Sequence, residues 1–590
     1  MKEELIFHLS DAPFAFPTGR GALRVRLRAG KGDLTECTVF LKDRYRWGGP
    51  FAVVPMEPVC ETERFCYYEA DLTLQTSRFL YFFRLKDTEE TVRFYNERGF
   101  WREEPREPGA FQFPYIAEAD LYHPPKWAQE GVCYQIFPQS FCNGDRSNDP
   151  ENAAPWGSPA EQGVFYGGDL KGIADRLPYL SELGVTFLYL TPVFRSDSTH
   201  KYNTDDYLQV DPHFGNTQTL REFVARCHER NIRVVLDAVF NHSGEHFQAF
   251  QDVVQNGEHS RYRDWFFIDR FPVDTEKVNY LTFADGLRNM PKLNTSNPEV
   301  MEYLLKVTGY WMKQTGIDGW RLDVCDEVSH AFWKKFRTFV RGINPDAAIF
   351  GEIHHQSNAF LRGDELDGIM NYPLYDAVLD FFANRSIGGE RFADEIASKR
   401  MLYSDVMNRS MLNLVGSHDT ERFLTACGGR RERLRLAEVF QFTYIGIPYV
   451  YYGDEVGLSG GNDPECRGCM PWDPEQQDAR LLKFYRRLIR IRRENPVLVY
   501  GGYRQISVSP LFAFERAADG DRITVILNNS GYTAGLTDAR LFGVYTDLWT
   551  GRCVKLERGA AVEPDSFRVL RPLRTPDLRD NFQVKDTLEQ

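Results

Sequence analysis

The sequence predicts an α/β protein, a parallel (β/α)8 barrel carrying an N-terminal β-sandwich and a C-terminal β-sandwich. Three observations predict it. Between 122 and 500, apolar runs near 132–137, 185–190, 234–236, 320–322, 348–350, 368–370, 411–415 and 448–451 alternate with helical segments, and roughly eight strand and helix pairs close a barrel of the TIM type. On either side of that region the runs become short and alternating, as antiparallel strands do. The length of 590 residues is too great for one ordinary domain and leaves ample chain for a large core.

Residues 1–121 carry stretches such as Leu23-Arg24-Val25-Arg26-Leu27 and Phe79-Leu80-Tyr81-Phe82-Phe83, separated by Gly, Asp and Pro. They read as the first sandwich. Paired prolines in Tyr122-His123-Pro124-Pro125 mark a linker. Inside the barrel, 300–313 has apolar residues on one helical face, introduced by Asn297-Pro298 and followed by Gly316. A long excursion at 241–297 reads as an inserted subdomain, and loops of that length are usually functional. The last barrel helix is expected over 474–494, with Arg and Lys on its outer face. From 501 to 590 strand-sized runs return as the second sandwich, with a polar tail at 575–590 expected to fray.

The formal charge of -13, without long blocks of like sign, argues against nucleic acid as a partner, because phosphate binding relies on clustered Lys and Arg. No membrane-length apolar run and no secretory leader are visible. The eleven cysteines are scattered and odd in number, which fits a reducing compartment and a cytoplasmic location. Cys466-Arg467-Gly468-Cys469 reads as structural or incidental, since zinc needs two further ligands. Aromatic residues, at 14%, are suited both to core packing and to stacking on sugar faces.

Three apolar runs each end in a carboxylate: Gly319-Trp320-Arg321-Leu322-Asp323, Ile349-Phe350-Gly351-Glu352 and Leu414-Val415-Gly416-Ser417-His418-Asp419. In parallel barrels, active sites sit at such strand ends. Splitting a sugar acetal needs one carboxylate to meet the anomeric carbon and one carboxylic acid to protonate the departing oxygen. Arg321 lies two residues before Asp323, so on a strand both side chains share a face and the guanidinium can hold that carboxylate ionised. Glu352 is expected to stay protonated, through a nearby carboxylate and apolar surroundings.

Asp237-Ala238-Val239-Phe240-Asn241-His242, Gly319 to Asp323, Gly351-Glu352-Ile353 and Ser417-His418-Asp419 stand in the order of the alpha-amylase family of glycoside hydrolases, which the chain resembles. His200-Lys201-Tyr202 and Met290-Pro291-Lys292-Leu293-Asn294, with the N-terminal sandwich, look like its cyclomaltodextrinase, neopullulanase and maltogenic amylase branch. The resemblance implies that Asp323 is the nucleophile, Glu352 the acid/base and Asp419 the transition-state stabiliser of a retaining double displacement. It also implies that His242 and His418 donate to sugar hydroxyls and that Tyr202 stacks on the glucose at the cleaved bond. Asp237 is expected to orient its neighbours rather than react.

The resemblance further assigns Asn143, Asp145, Asn148, Asp149, the carbonyl of Gly167 and Asp169 to one structural calcium ion, a cage of hard oxygen donors; an Asx-rich turn is the alternative reading. No organic cofactor is expected. In the resembled branch the N-terminal domain packs over a second subunit's active site, so a homodimer is expected, with Asp43-Arg44-Tyr45-Arg46-Trp47 a hairpin on that domain. Two departures stand out. Val324-Cys325-Asp326-Glu327 replaces the usual Val-Ala-Asn-Glu, and His354 stands where the branch carries Trp. Both fall where the family binds the leaving-group side, so Asp326 adds negative charge there and His354 removes a stacking surface. A metal pair of His354 and His355 is disfavoured, because adjacent strand residues face opposite ways.

The function implied is hydrolysis of alpha-1,4-glucosidic bonds in cyclodextrins, maltooligosaccharides and pullulan, with some transglycosylation. A 4-alpha-glucanotransferase is the near alternative. A non-catalytic alpha-glucan-binding or assembly protein is the alternative of another class, whose sign would be a missing catalytic carboxylate.

Overall fold

The computed structural model describes residues 1–573 apart from Trp47, Arg106, Glu107 and Asp285, and in it the eight apolar runs close into one parallel barrel. The strands are β1 (Cys133–Ile136), β2 (Phe187–Leu190), β3 (Arg233–Ala238), β4 (Gly319–Leu322), β5 (Ala348–Ile353), β6 (Gly368–Asn371), β7 (Leu412–Asn413) and β8 (Ile447–Tyr451). Closure is made by β8 against β1, with Cys133 opposite Tyr449. The strands are buried on both faces, which is why the sequence gives continuous apolar runs rather than alternation.

Strand β7 is shorter than the run at 411–415 because side-chain amides replace its ladder: Asn371 donates to Asn413 at 2.9 Å, and Asn413 donates to the Ile445 carbonyl at 2.8 Å. Register decides the site. Asp237 pairs with Arg321 across β3 and β4, and Leu322 pairs with Gly351 across β4 and β5, so the next step along both strands brings Asp323 level with Glu352. Gly351 is needed there, since a Cβ would lie 2.6 Å from both Cys325 Sγ and a Leu366 methyl.

The helix expected over 300–313 spans Pro298–Thr315. Asn297 accepts from the Glu299 N–H at its start, and Gly316 turns left-handed at its end with φ of 74°. The last barrel helix starts later than expected, at Ala479, because Pro474–Gln476 forms a separate 3-10 turn and Asp478 caps the helix proper by accepting from Arg480 and Leu481. Among its described residues the excursion at 241–297 holds one α-helix, Gln248–Asn256, two 3-10 turns, Gly257–His259 and Arg263–Trp265, and isolated bridges such as His242 with Lys292 and Phe266 with Leu293 that tie it to the end of β3.

The N-terminal region packs a four-stranded antiparallel sheet against a second, larger one around their own apolar core, which includes Leu27, Val39 and Phe83. Arg26 locks it to the barrel: its buried guanidinium pairs with Glu69 at 2.7 Å and donates to the carbonyls of Met401 and Tyr403. The C-terminal region is a six-stranded antiparallel sheet with a two-stranded partner, Ala534–Gly535 with Ala561–Val562. Buried Arg516 fastens it by donating to the carbonyls of Thr443, Tyr444 and Gly501. The expected fraying at 575–590 falls outside the described residues. No described helix is long and apolar enough to cross a membrane.

Candidate active site

Arg321 is the hub. Its side chain is fully buried at the end of β4 and meets three carboxylates: Nη1 lies 2.9 Å from Asp323 Oδ1 and 2.9 Å from Asp237 Oδ2, and Nη2 lies 2.8 Å from Glu352 Oε2. Asp323 and Glu352 therefore converge on one guanidinium, one nitrogen each. Asp323 keeps its other oxygen, Oδ2, buried without a partner. Asp237 is also held by the hydroxyls of Tyr189 at 2.6 Å and Tyr202 at 3.0 Å, so both its oxygens serve to orient others.

Behind Asp323 the chain bends sharply. Val324 has φ of 43°, a left-handed conformation that a β-branched residue adopts only where its surroundings impose it. The bend aims the Val324 N–H at Glu352 Oε2, 3.0 Å away. Strain next to the nucleophile position thus supplies a fixed donor to its partner acid.

Charges settle differently from the sequence expectation. One guanidinium cannot neutralise Asp237, Asp323, Glu352 and Asp419 together, and such a cluster titrates as a unit. Burial, then the charge of Glu352, pushes Asp323 well above the usual carboxylate range. Burial and Glu352 likewise raise Asp419 to about 6. Glu352 goes the other way: burial opposes its charge, but Arg321, His354 and the Val324 N–H outweigh it and hold the carboxyl low. These directions run against the expectation that Glu352 keeps the proton and Asp323 the charge. Arg321 reaches both acids, and only Glu352 gains a backbone donor as well.

Asp419 follows β7 on a loop. Arg467 Nη2 lies 3.1 Å from its Oδ1 and His418 Nε2 lies 3.2 Å from its Oδ2. His418 accepts at Nδ1 from Gln135, 2.7 Å away, which leaves Nε2 to carry the hydrogen and face the Tyr202 hydroxyl at 2.5 Å. Burial holds His418 neutral and lowers His242 to about 3. His242 stacks on Phe283 and leaves its Nε2 buried with no partner, a free polar atom beside the carboxylates.

The comparisons agree with this geometry. The family described as alpha amylase, catalytic domain, matches residues 135–501, and alpha amylase, N-terminal ig-like domain, matches residues 1–117. The chain belongs to the alpha-amylase family. It is 49% identical to a cyclomaltodextrinase of Thermoanaerobacter pseudethanolicus, covering 90% of this chain and 93% of that one. It is 48% identical to neopullulanase 2 of Thermoactinomyces vulgaris, covering 90% and 91%. A solved cyclomaltodextrinase structure superposes with a TM-score of 0.91 at 41% identity, covering 97% of this chain and all of that one. This alpha-amylase-family protein is accordingly a glycosidase.

The family member's two departures look different in three dimensions. The charge of Asp326 is met by His355, whose Nε2 lies 2.9 Å from Asp326 Oδ2. His354 keeps a flat face, stacked on Tyr372 with ring centroids 3.9 Å apart, and turns its Nε2 to Glu352 Oε1 at 3.5 Å. The two histidines lie in the bend just after β5 rather than on the strand, and each turns to a different carboxylate.

Sequence reasoning missed four contributors. Gln135 and Tyr189 lie on β1 and β2 as ordinary core-strand residues, and only barrel closure brings them to His418 and Asp237. Tyr372 backs His354 from the residue after β6. Arg467 sits inside the Cys466-to-Cys469 motif, which was read only for its thiols. Both cysteines are buried and unbridged, and Cys466 merely donates to the His418 carbonyl.

The six oxygen-donor residues gather beside β1. Asn143 donates to Asp149 Oδ1 at 2.7 Å, and Asp145 accepts from Ser147. Asp169 is spent largely as a cap, accepting from the N–H groups of Gly172, Gly144 and Asp145. Two amide oxygens, Asn143 Oδ1 and Asn148 Oδ1, are buried without a partner. Gly167 turns with φ of 76°, where a Cβ would fall 2.3 Å from Asp149 Oδ1. Among the described residues no group of three or more His, Cys, Asp or Glu is placed to hold a metal.

Proposed function

We propose that the protein hydrolyses alpha-1,4-glucosidic bonds of cyclodextrins, maltooligosaccharides and pullulan by a retaining double displacement, with some transfer to sugar acceptors. The observation that carries this is the shared contact of Asp323 and Glu352 with Arg321. The shared guanidinium supports the retaining reading, a mechanism in which nucleophile and acid lie about 5 to 5.5 Å apart.

Asp323 is the nucleophile through its unpartnered Oδ2. A bound sugar places a developing cation beside Asp323, which favours the carboxylate there, while a protonated Glu352 serves as the general acid. The departing oxygen takes that proton as Asp323 bonds to the anomeric carbon. Water then attacks the same carbon, the ester bond breaks, and Glu352 regains a proton. Asp419, held by Arg467, accepts from sugar hydroxyls as charge builds. Neutral His242 donates to a sugar hydroxyl through its unpartnered Nε2, His418 reaches a sugar only by turning its Nε2–H from Tyr202, and the buried ring of Tyr202 faces the glucose.

The donor set beside β1 fits calcium, which takes amide, carbonyl and carboxylate oxygens; the two orphaned amide oxygens and the glycine cradle support that reading. Asn143, Asp145, Asn148, Asp149, the Gly167 carbonyl and Asp169 would hold the ion. Its contribution would be structural, pinning the loop after β1.

The relatives' printed names support cyclomaltodextrin and pullulan substrates here. A homodimer through the N-terminal domain remains the reading for the whole particle, and exposed Tyr45, flanked by Arg44 and Arg78, sits on its outer surface. Trp47 of the same hairpin lies outside the described residues. Eleven unbridged cysteines support a reducing, cytoplasmic setting.

Product analysis with cyclodextrin, pullulan, starch and maltotriose tests the function. Cleavage of cyclodextrin with retained anomeric configuration is expected. Predominant disproportionation of maltotriose would favour the glucanotransferase, and binding without cleavage of any alpha-glucan would favour the non-catalytic protein.

A further inference from the structure

The two oxygens of Glu352 are not equivalent. Oε2 accepts from the Val324 N–H at 3.0 Å and faces Arg321 Nη2 at 2.8 Å, two groups that never give up their hydrogens at working pH. A proton on that oxygen would meet the Val324 N–H donor and the Arg321 charge beside it. Oε1 is therefore the oxygen that carries the acid proton. What faces Oε1 is His354 Nε2, 3.5 Å away.

His354 is built into that position. Its ring lies on Tyr372 at a centroid distance of 3.9 Å and an interplanar angle of 17°, and Tyr372 is itself fixed by its hydroxyl against Ser417 Oγ at 3.0 Å. The imidazole remains mostly exposed, so it exchanges protons with solvent while Glu352 does not.

We propose that His354 acts through Glu352 as its proton reservoir, passing a proton from Nε2 to Oε1 for the glycosylation step and taking it back afterwards. This rests on the glycosidase reading above. In the first half-reaction the proton moves from His354 to Oε1 and on to the departing glycosidic oxygen, while that oxygen's bond to carbon breaks and the Asp323 ester forms. In the second, attacking water bonds to the carbon, the ester breaks, and the water's proton passes through Oε1 to His354. Imidazolium, both carboxylates and one hydrolysed bond are the balance.

The groups facing His354 fit this role. Glu352 and, more distantly, Asp419 favour its charged form and Arg321 opposes it; together they raise its proton affinity above that of a free histidine. Asp376, from the helix that begins at Tyr372, also feels the imidazolium. His355 is committed to Asp326 and His418 is held neutral by burial.

A pair holding one proton loses it at the raised imidazole value, not at the carboxyl's own, so His354 extends activity toward alkaline pH. The test is the pH profile of kcat/KM on cyclodextrin for the native enzyme and His354→Trp, which keeps a flat ring on Tyr372 and removes the titrating nitrogen; His354→Gln serves if the larger ring does not fold. The alkaline limb is expected to move to lower pH by about one unit or more. An unmoved limb would reduce His354 to a stacking surface, and a limb moved to higher pH would make it only a charge beside Glu352; either overturns the reservoir. Maltosyl fluoride, whose leaving group needs no proton, is the control. In the variant the pH profile of kcat/KM on the fluoride, which reports only the steps up to ester formation, should keep the native alkaline shape, whereas a native enzyme inactive on both substrates would sink the glycosidase reading instead.

Discussion

Tyr202 and His418 lie face to face, ring centroids 5.4 Å apart and planes within 9°, with the phenol oxygen 2.5 Å from Nε2. They come from the loops after β2 and β7, and their contact joins two hydrogen-bonding chains into one: Gln135 to His418, His418 to Tyr202, Tyr202 to Asp237, and Asp237 to Arg321. The orientation of Arg321, and through it of Asp323 and Glu352, is thus tied to strands far apart in sequence.

Breaking that chain at its middle should be felt at the carboxylates. Tyr202→Phe keeps the ring and removes the hydroxyl, leaving Asp237 short of one donor. A hydrogen bond to a charged group is worth about 1.5–3 kcal/mol, so kcat/KM should fall about 10- to 100-fold with the melting temperature nearly unchanged. Native kinetics in this variant would show the hydroxyl to be idle.

The two acids should fail differently. Asp323→Asn removes the attacking oxygen and should abolish turnover of cyclodextrin and of maltosyl fluoride alike. Glu352→Gln removes only proton transfer, worth about 10²–10⁴-fold; it should lose cyclodextrin cleavage while still forming the glycosyl ester from the fluoride. Equal losses on both substrates in Glu352→Gln would contradict its assignment as the acid.

Calcium is separable from catalysis. Asn143→Ala together with Asn148→Ala deletes the two unpartnered amide oxygens, and the native protein, but not the double variant, should carry one calcium by elemental analysis. Chelator should lower the native melting temperature and leave that of the variant in place. A native protein free of calcium and indifferent to chelator would return the loop to an ordinary Asx turn.

His8 offers a pH test away from the site. It is buried in the N-terminal sandwich between the Arg26 carbonyl at 2.7 Å and the Tyr81 hydroxyl at 2.9 Å, and burial lowers it to about 4. A histidine depressed in the folded state contributes its full stability above the unfolded value near 6.5 and loses it as pH falls toward about 4. His8→Gln should therefore be the less stable protein at pH 7.5. Its deficit should shrink by about 1.4 kcal/mol for each pH unit below 6.5, as read by denaturant unfolding at pH 7.5 and 5.5. A constant gap would mean that His8 is charged inside the fold.

How much of this was legible follows from where the information lies in the chain. The barrel was readable because each strand is buried on both faces and so forms a continuous apolar run, and Asp323, Glu352 and Asp419 stood out because a carboxylate ending such a run cannot be mere packing. The short β7 was not readable, since side-chain amides of Asn371 and Asn413 do the work of a ladder. Arg467 was hidden between two cysteines that attracted the wrong question.

The sequence alone determined the residue types, their order and the strand ends that hold them, because these follow from local burial patterns and from spacing along one strand. Only the tertiary structure decided which charges and donors surround each acid. That depends on the left-handed bend at Val324, on Arg321 facing three carboxylates and on His354 turning toward a single oxygen, and electrostatics at a few ångströms is set by neighbours that the chain supplies from separate strands and loops.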